Sequence, residues 1–196
     1  MSPMQIALII LVVLAAAAAV VLVLIASRRR ALRTKFGPEY ERAVAEQQTR
    51  AAAERELRER ERRHAELTLT PLSAEARGRY AAEWEEIQAR FVDSPAEAVG
   101  AADEVVTRLI TERGYPTGDY DDRLAQLSVE HARTLGHYRD AHEIHLRNQR
   151  GEASTEQLRQ AVVHYRALFT DLLGEEPVRQ QDTDESRPDA QDVPSR

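Results

Sequence analysis

The chain has 196 residues, a formal net charge of −6 and charged side chains at 31% of its positions. This length corresponds to one domain with appendages, and the acidic balance argues against a nucleic-acid-binding protein, for which a basic surface is expected. Cysteine is absent, which excludes disulfide bonds and thiol nucleophiles.

An apolar segment opens the chain, and Gln5 is the only strongly polar residue between positions 4 and 26. As an α-helix this segment is roughly 34 Å long, enough to cross a hydrocarbon core of about 30 Å. We therefore predict a transmembrane anchor over residues 1–27. The alternative is a cleaved signal peptide, although the apolar run is longer than such peptides use and no basic residue precedes it.

A basic flank, residues 28–37, follows the apolar segment and contains no acidic residue. Its basic side chains are Arg28, Arg29, Arg30, Arg33 and Lys35. The positive-inside rule then predicts a single-pass plasma-membrane protein with its N-terminus outside and its body in the cytoplasm. A secreted or extracytoplasmic location is the alternative. We interpret the flank as a stop-transfer signal, with anionic lipid headgroups as a second possible contact.

Residues 38–70 consist almost entirely of good helix formers, beginning with Pro38 at a favourable first helical position. Apolar residues are too sparse there for a core-facing side. We predict a charged helical stalk, about 45 Å long if fully helical, with coiled-coil pairing over short stretches only. Four Glu–Arg pairs at i,i+4 are expected to support it: Glu46/Arg50, Glu54/Arg58, Glu56/Arg60 and Glu59/Arg63.

Residues 71–174 show four amphipathic segments separated by short loops, which predicts a compact bundle of about four helices. The third segment reads as one helix that runs as far as Arg150. The expected N-caps are Ser73, Ser94, Asp121 or Asp122, and Ser154. No segment alternates with period two, so the predicted fold class is all-α. Residues 175–196, with seven acids against three arginines, are predicted to form a disordered acidic tail.

Catalytic signatures are missing from the sequence: neither a phosphate-binding glycine loop nor a nucleophile elbow is present. We therefore predict that the protein is not an enzyme and assign no catalytic residue, cofactor or small-molecule substrate. His142 and His145 lack the spacing of the zinc motif H-E-x-x-H, so we interpret them as half-buried packing residues and assign no metal site. The candidates, if the bundle binds a metal, are His131, His142, His145 and His164. A pH-sensing role is a further alternative.

Two loop motifs, RGYP at residues 113–116 and RGEAST at residues 150–155, accompany the apolar segment and the basic flank. In this combination the chain resembles a group of actinobacterial single-pass membrane or secreted proteins of unknown function. The resemblance implies a GC-rich, Gram-positive source, and it implies no activity.

These features lead to the hypothesis of a membrane-tethered, non-enzymatic helical interaction module, a scaffold or adaptor, that faces the cytoplasm. Its expected partners are the lipid bilayer and either another protein or a second copy of the chain; nucleic acid is not expected. Two alternatives remain open: a histidine-based metal- or small-ligand-binding bundle, and an interaction protein that faces the envelope or is secreted.

Overall fold

A computed structural model describes residues 3–116 and 118–174, apart from the side chains of residues 6–9. Within these ranges the chain forms eight helices and no strand, which confirms the all-helical prediction. The tail predicted to be disordered lies outside the described residues. The helices are α1 (Pro3–Phe36), α2 (Pro38–Glu46), α3 (Arg50–Ala65), α4 (Ala74–Asp93), α5 (Pro95–Glu112), α6 (Tyr120–Leu127), α7 (Leu135–Gln149) and α8 (Thr155–Leu173).

Helix α1 contains the apolar segment and the basic flank without interruption. Among the described residues it is the one helix long and apolar enough to cross a membrane, and none of its most apolar stretch is buried. Gly37 ends it with a φ of 47°, in the left-handed region that glycine tolerates. Pro38 then begins α2, as the sequence predicts.

The charged stalk is not confirmed, because residues 38–70 form two helices that fold back against the end of α1. The chain leaves helical geometry at Gln47, and Thr49 caps α3 by accepting a hydrogen bond from the backbone N–H of Ala52. A small hydrophobic core, which we call the N-terminal cluster, holds these helices together. It consists of Leu32, Phe36, Tyr40, Ala43, Ala53, Leu57 and Val129.

Charge pairing in this region also differs from the expected pattern. The predicted Glu56/Arg60 pair forms, but three other glutamates bind different arginines: Glu46 binds Arg42, Glu54 binds Arg29 and Glu59 binds Arg62. The turn between α2 and α3 removes the helical spacing that the Glu46/Arg50 pair needs. Glu54 faces α1 across a packed junction, so its partner comes from another helix.

The main hydrophobic core lies among α4, α5, α6, α7 and α8. Trp84 on α4 stacks on Phe169 on α8, with ring centroids 4.6 Å apart. The expected four-helix bundle is not confirmed, since the predicted third helix is divided into α6 and α7. Asp119 caps α6 by accepting from the backbone N–H of Asp122, so the cap lies earlier than predicted. The predicted caps of α4 and α8, Ser73 and Ser154, are confirmed.

Polar side chains account for the break between α6 and α7. The hydroxyl of Ser128 donates to the carbonyl of Ala125. The hydroxyl of Thr134 lies 3.2 Å from the carbonyl of His131 and has a closer acceptor in the Asp171 carboxylate. Such local bonds compete with the helical hydrogen-bond pattern. The His131 side chain also contacts Tyr115 and Asp171. A continuous helix over this stretch would not be expected to favour these contacts.

Candidate functional site

The junction between α1 and the helical body is the first candidate site. Leu32 and Phe36 lie one helical turn apart in the basic flank, and they are 5% and 0% exposed. Residues at this spacing share one face of a helix. This face packs into the N-terminal cluster with α2 and α3, so the extension of α1 is part of the folded body.

The basic flank is divided between two environments. Three of its bases pair with acids on α2 and α3: Arg29–Glu54 at 3.1 Å, Arg33–Glu41 at 2.6 Å and Lys35–Glu61 at 2.7 Å. Arg28 and Arg30 are exposed and have no acidic partner within 4.0 Å in the part of the chain that the structure describes. These two side chains are exposed to solvent.

The order of the pairs gives the direction of α3. Arg29 pairs with Glu54 and Lys35 with Glu61, so residue numbers rise together along both helices and α3 runs beside α1 in the same direction. The N-terminus of α3 therefore lies on the side of the apolar segment. Glu54 is 7% exposed and also accepts a hydrogen bond from the Tyr40 hydroxyl at 3.1 Å. Burial, together with this bond, raises the pKa of Tyr40.

Helices α2 and α3 also contact the bundle. Arg139 on α7 donates two hydrogen bonds to the Glu39 carboxylate, one of them at 2.6 Å. This ion pair is largely buried, with the Glu39 side chain 5% exposed and that of Arg139 18% exposed. His64 Nε2 at the end of α3 lies 3.1 Å from a carboxylate oxygen of Glu130. Through these contacts α1, α2, α3 and the bundle form one packed unit.

His131, the first of the candidate metal ligands, lies between α8 and the loop after α5 and contacts a polar side chain of each. Its Nε2 lies 3.1 Å from the Tyr115 hydroxyl, and its Nδ1 lies 2.9 Å from Asp171 Oδ2 without the alignment of a good hydrogen bond. Thr134 donates to the same carboxylate. Burial raises the pKa of Asp171, but the contacts with His131 and Thr134 outweigh it, and the pKa ends below its ordinary value.

His142 and His145 have protein partners of their own. His142 stacks on Tyr120, with ring centroids 4.2 Å apart, and its Nδ1 lies 3.3 Å from Asp103 Oδ1. The Asp103 oxygen also accepts from the Tyr165 hydroxyl at 2.6 Å. Burial raises the pKa of Asp103, while hydrogen bonds from His142 and Tyr165 bring it below its ordinary value. His145 contacts Gln149 at 2.8 Å. These surroundings support the interpretation of both histidines as packing residues.

His164, the fourth candidate, lies in a group that sequence reasoning missed. Its Nδ1 is 2.9 Å from Nδ1 of His137, and the two rings stack with centroids 5.0 Å apart. Asp140 completes a set in which one possible ligand atom of each residue lies within 4.8 Å of the others. A groove of about 280 Å³ opens beside this set. It is lined by Asp140, Glu143, Ile144, Arg147, Gln157, Gln160 and His164.

The four candidate histidines therefore do not form one site. His131 and His142 occupy separate polar networks, and His164 belongs with His137 and Asp140. The sequence contains one signal for this group, because His137 and Asp140 are spaced i,i+3 on one helix. That spacing is common on charged helices, and the partner helix is not evident from the sequence.

Comparison with protein-family models, with curated proteins and with solved structures finds no match to the chain. The resemblance to actinobacterial membrane or secreted proteins stays a prediction from the motifs that carry it. The proposed function therefore rests on the residues and contacts of this chain alone.

Proposed function

We propose that the chain is a membrane-anchored, non-enzymatic helical interaction module, with α1 as its single span and α2 to α8 in the cytoplasm. The main support for this proposal is the junction between α1 and the helical body. The apolar helix continues unbroken into the basic flank, and Leu32 and Phe36 of that extension are buried by α2 and α3. A helix joined in this way holds the body close to the bilayer surface, whereas an extended stalk would hold it at a distance.

The exposure of α1 favours its interpretation as a membrane span rather than as a buried core helix. Its described leucine, isoleucine and valine side chains between positions 10 and 25 are 41–66% exposed. Contact with water costs about 25 cal/mol per Å² of apolar surface, and a hydrocarbon environment removes that cost. A helix also satisfies its own backbone hydrogen bonds, as a lipid environment requires.

The basic flank supports the cytoplasmic orientation. All five bases lie on the C-terminal side of the apolar segment, which is the arrangement that retains the following chain in the cytoplasm. Pairing with α2 and α3 gives three of them a second role in the folded protein. Exposed Arg28 and Arg30 keep the capacity to attract anionic lipids, at about 1 kcal/mol for each base near the surface.

The polar networks of the body support a non-catalytic role. Two of the carboxylates that lie beside histidines, Asp103 and Asp171, are occupied by tyrosine and threonine hydroxyls as well as by those histidines. In this arrangement each carboxylate joins helices together. Both pKa values lie below the ordinary value, whereas a general acid at neutral pH needs a raised one.

In-cell crosslinking tests the interaction role. A photoreactive amino acid is placed singly at Val92 on α4 and Val163 on α8, which are 81% and 56% exposed, and at buried Leu109 as a control. We expect defined intermolecular products, to one protein or to a second copy, from one or both exposed positions and none from Leu109. A scan of exposed positions over α4 to α8 that gives no intermolecular product, with a monomeric chain in detergent, contradicts the proposal.

A further inference from the structure

We propose that His137, Asp140 and His164 form a binding site for a divalent transition metal, Zn²⁺ in the first place, that links α7 to α8. This site does not depend on membrane anchoring or on a protein partner. It also differs from the set of histidines that the sequence favoured, because it shares only His164 with that set.

The three ligand atoms lie close enough together for a metal to join them after a local adjustment. Two nitrogen ligands at about 2.0–2.1 Å from a tetrahedral zinc ion lie roughly 3.3 Å apart, and the Nδ1 atoms of His137 and His164 share a hydrogen bond of 2.9 Å. Zinc binding replaces the proton of this hydrogen bond, and the two rings separate slightly and turn so that both nitrogen lone pairs point at the ion. A carboxylate oxygen of Asp140 lies within 4.8 Å of a ring nitrogen of each histidine, so this exposed side chain has to move closer to the histidines to coordinate the ion.

The backbone beneath the site is held by the main core. Each proposed ligand precedes a residue that is 0% exposed: Tyr138 follows His137, Ala141 follows Asp140 and Tyr165 follows His164. These three buried residues fix the spacing of α7 and α8 where the ligands leave the helices. A ligand set on rigid helices loses less freedom when it binds a metal than one on loops.

The chemistry of the ligands selects the class of ion. Calcium and magnesium prefer sites made of oxygen atoms, and copper(I) prefers sulfur ligands. Two imidazoles and one carboxylate match the three-ligand sites in which zinc keeps an open coordination position. Because His137 and Asp140 are exposed, that position is open to water or to a side chain from another molecule.

Zinc titration of the full chain tests the site. The protein is purified without a polyhistidine tag, held in detergent micelles, stripped with a chelator and titrated with ZnCl2 by calorimetry. We expect about one Zn²⁺ per chain. Loss of even an outer partner of a metal ligand commonly costs about 10- to 100-fold in affinity, so His137→Ala and His164→Ala are each expected to weaken binding by at least that much. Asp140→Asn, which keeps the side-chain size, is expected to weaken it less.

The matched control is His145→Ala, which removes a half-buried histidine of α7 outside the site and is expected to bind zinc as the wild type does. Cobalt(II) supplies a second readout, since its visible absorption bands should appear in the wild type and the control but not in the two histidine variants. The proposal is overturned if the wild type binds no zinc at micromolar concentrations. It is equally overturned if His137→Ala and His164→Ala bind as tightly as the wild type.

Discussion

Two apolar side chains in the basic flank, Leu32 and Phe36, connect α1 to the helical body. Phe36 is fully buried, and an aromatic side chain of this kind removes about 150–250 Å² of surface from water. The N-terminal cluster is small, and Leu32 and Phe36 are the two residues that α1 contributes to it. Exposed ion pairs are worth about 0–1 kcal/mol, so the connection between α1 and the body depends on Phe36 more than on the exposed ion pairs of the flank.

Replacing Phe36 by alanine should loosen α2 and α3 from α1. Phe-to-Ala changes in cores cost about 3–5 kcal/mol, and we expect the lower end because the cluster is small. Hydrogen exchange of the full chain in micelles should show faster exchange in α2 and α3 while α5 and α8 stay protected. Val92→Ala, at a position that is 81% exposed, is the control. Unchanged exchange in α2 and α3 of the Phe36 variant would contradict the role of this side chain.

Asp171 makes stability depend on pH. Its pKa in the folded protein lies below the ordinary value of 3.8, so the stabilisation that it provides is present above that value and is lost as the pH falls through the folded pKa. Asp171→Asn should be less stable by about 1–2 kcal/mol at pH 7, a range reduced because the carboxylate is partly exposed.

Urea unfolding at pH 7 and pH 3 tests this prediction. The difference between wild type and Asp171→Asn should shrink at the lower pH, where the wild-type carboxyl begins to take up a proton. Asp93→Asn, at the exposed end of α4, should change stability little at either pH. A difference that stays constant over this range would show that the charge of Asp171 is not what stabilises the link to His131.

A comparison of alanine substitutions at Gly114 and Gly174 distinguishes the stability cost of backbone strain from that of a steric clash. Both have positive φ, 91° and 74°, which costs a residue with a side chain about 1–2 kcal/mol. A Cβ at Gly114 would lie 2.5 Å from the carbonyl oxygen of Thr68, whereas a Cβ at Gly174 meets nothing within 4 Å. Thermal unfolding should therefore show Gly114→Ala to be clearly less stable than Gly174→Ala. Equal melting temperatures would mean that the segment at Thr68 moves freely.

At the scale of helices, the Glu39–Arg139 ion pair joins α2 to α7. Removal of one partner leaves the other charge poorly compensated in a largely buried position, and such losses are strongly destabilising. A double-mutant cycle with Glu39→Gln and Arg139→Gln should give a coupling free energy of about 1–3 kcal/mol in chemical denaturation. The exposed pair Glu156–Arg159 on α8 serves as control and should show no measurable coupling. Absence of coupling at Glu39–Arg139 would mean that α2 does not dock on the bundle.

Helices α4, α5 and α8 are the elements that the sequence predicts best. Each has an apolar face repeating with the period of a helix, and a serine or proline marks the start. Their cores are built from local patterns that a single sequence displays. The membrane-length helix is equally evident, because length and hydropathy alone identify it.

Helices α2 and α3 show where prediction from the sequence fails. Their buried positions include Tyr40, small alanines and the carboxylate of Glu54, so the core-facing side looks charged and sparse. Glu54 is satisfied by Arg29 and Tyr40, contacts that depend on the fold of three helices. The break between α6 and α7 is hard to predict for a similar reason. His131 contacts Tyr115 and Asp171, which lie far from it in the sequence.

The candidate metal site is likewise only partly predictable from the sequence. His164 is recognisable as a candidate, but its neighbours His137 and Asp140 come from α7. Which face of α7 meets α8 is fixed by the packing of Tyr138 and Ala141, both 0% exposed. The ligand set therefore depends on the pairing of two helices, which the spacing within one helix does not reveal.

For the whole molecule, the continuity of α1 has a mechanical consequence. Under the proposed membrane anchoring, the tilt and rotation of α1 pass to α2 and α3, and through Glu39 and Arg139 to the bundle. A flexible linker would absorb such motions. The proposed function therefore includes a body with a defined orientation at the bilayer, and we propose that this body lies on the cytoplasmic side.

Cysteine labelling in intact cells tests this central claim most directly, because the natural chain has no cysteine and a single introduced thiol reports one position. Ser2→Cys and Val92→Cys are treated with a membrane-impermeant maleimide before and after permeabilisation. We expect the thiol at position 2 to react in intact cells and the thiol at position 92 to react only after permeabilisation. Labelling at position 92 in intact cells, or recovery of the body in the medium without its first residues, would contradict it.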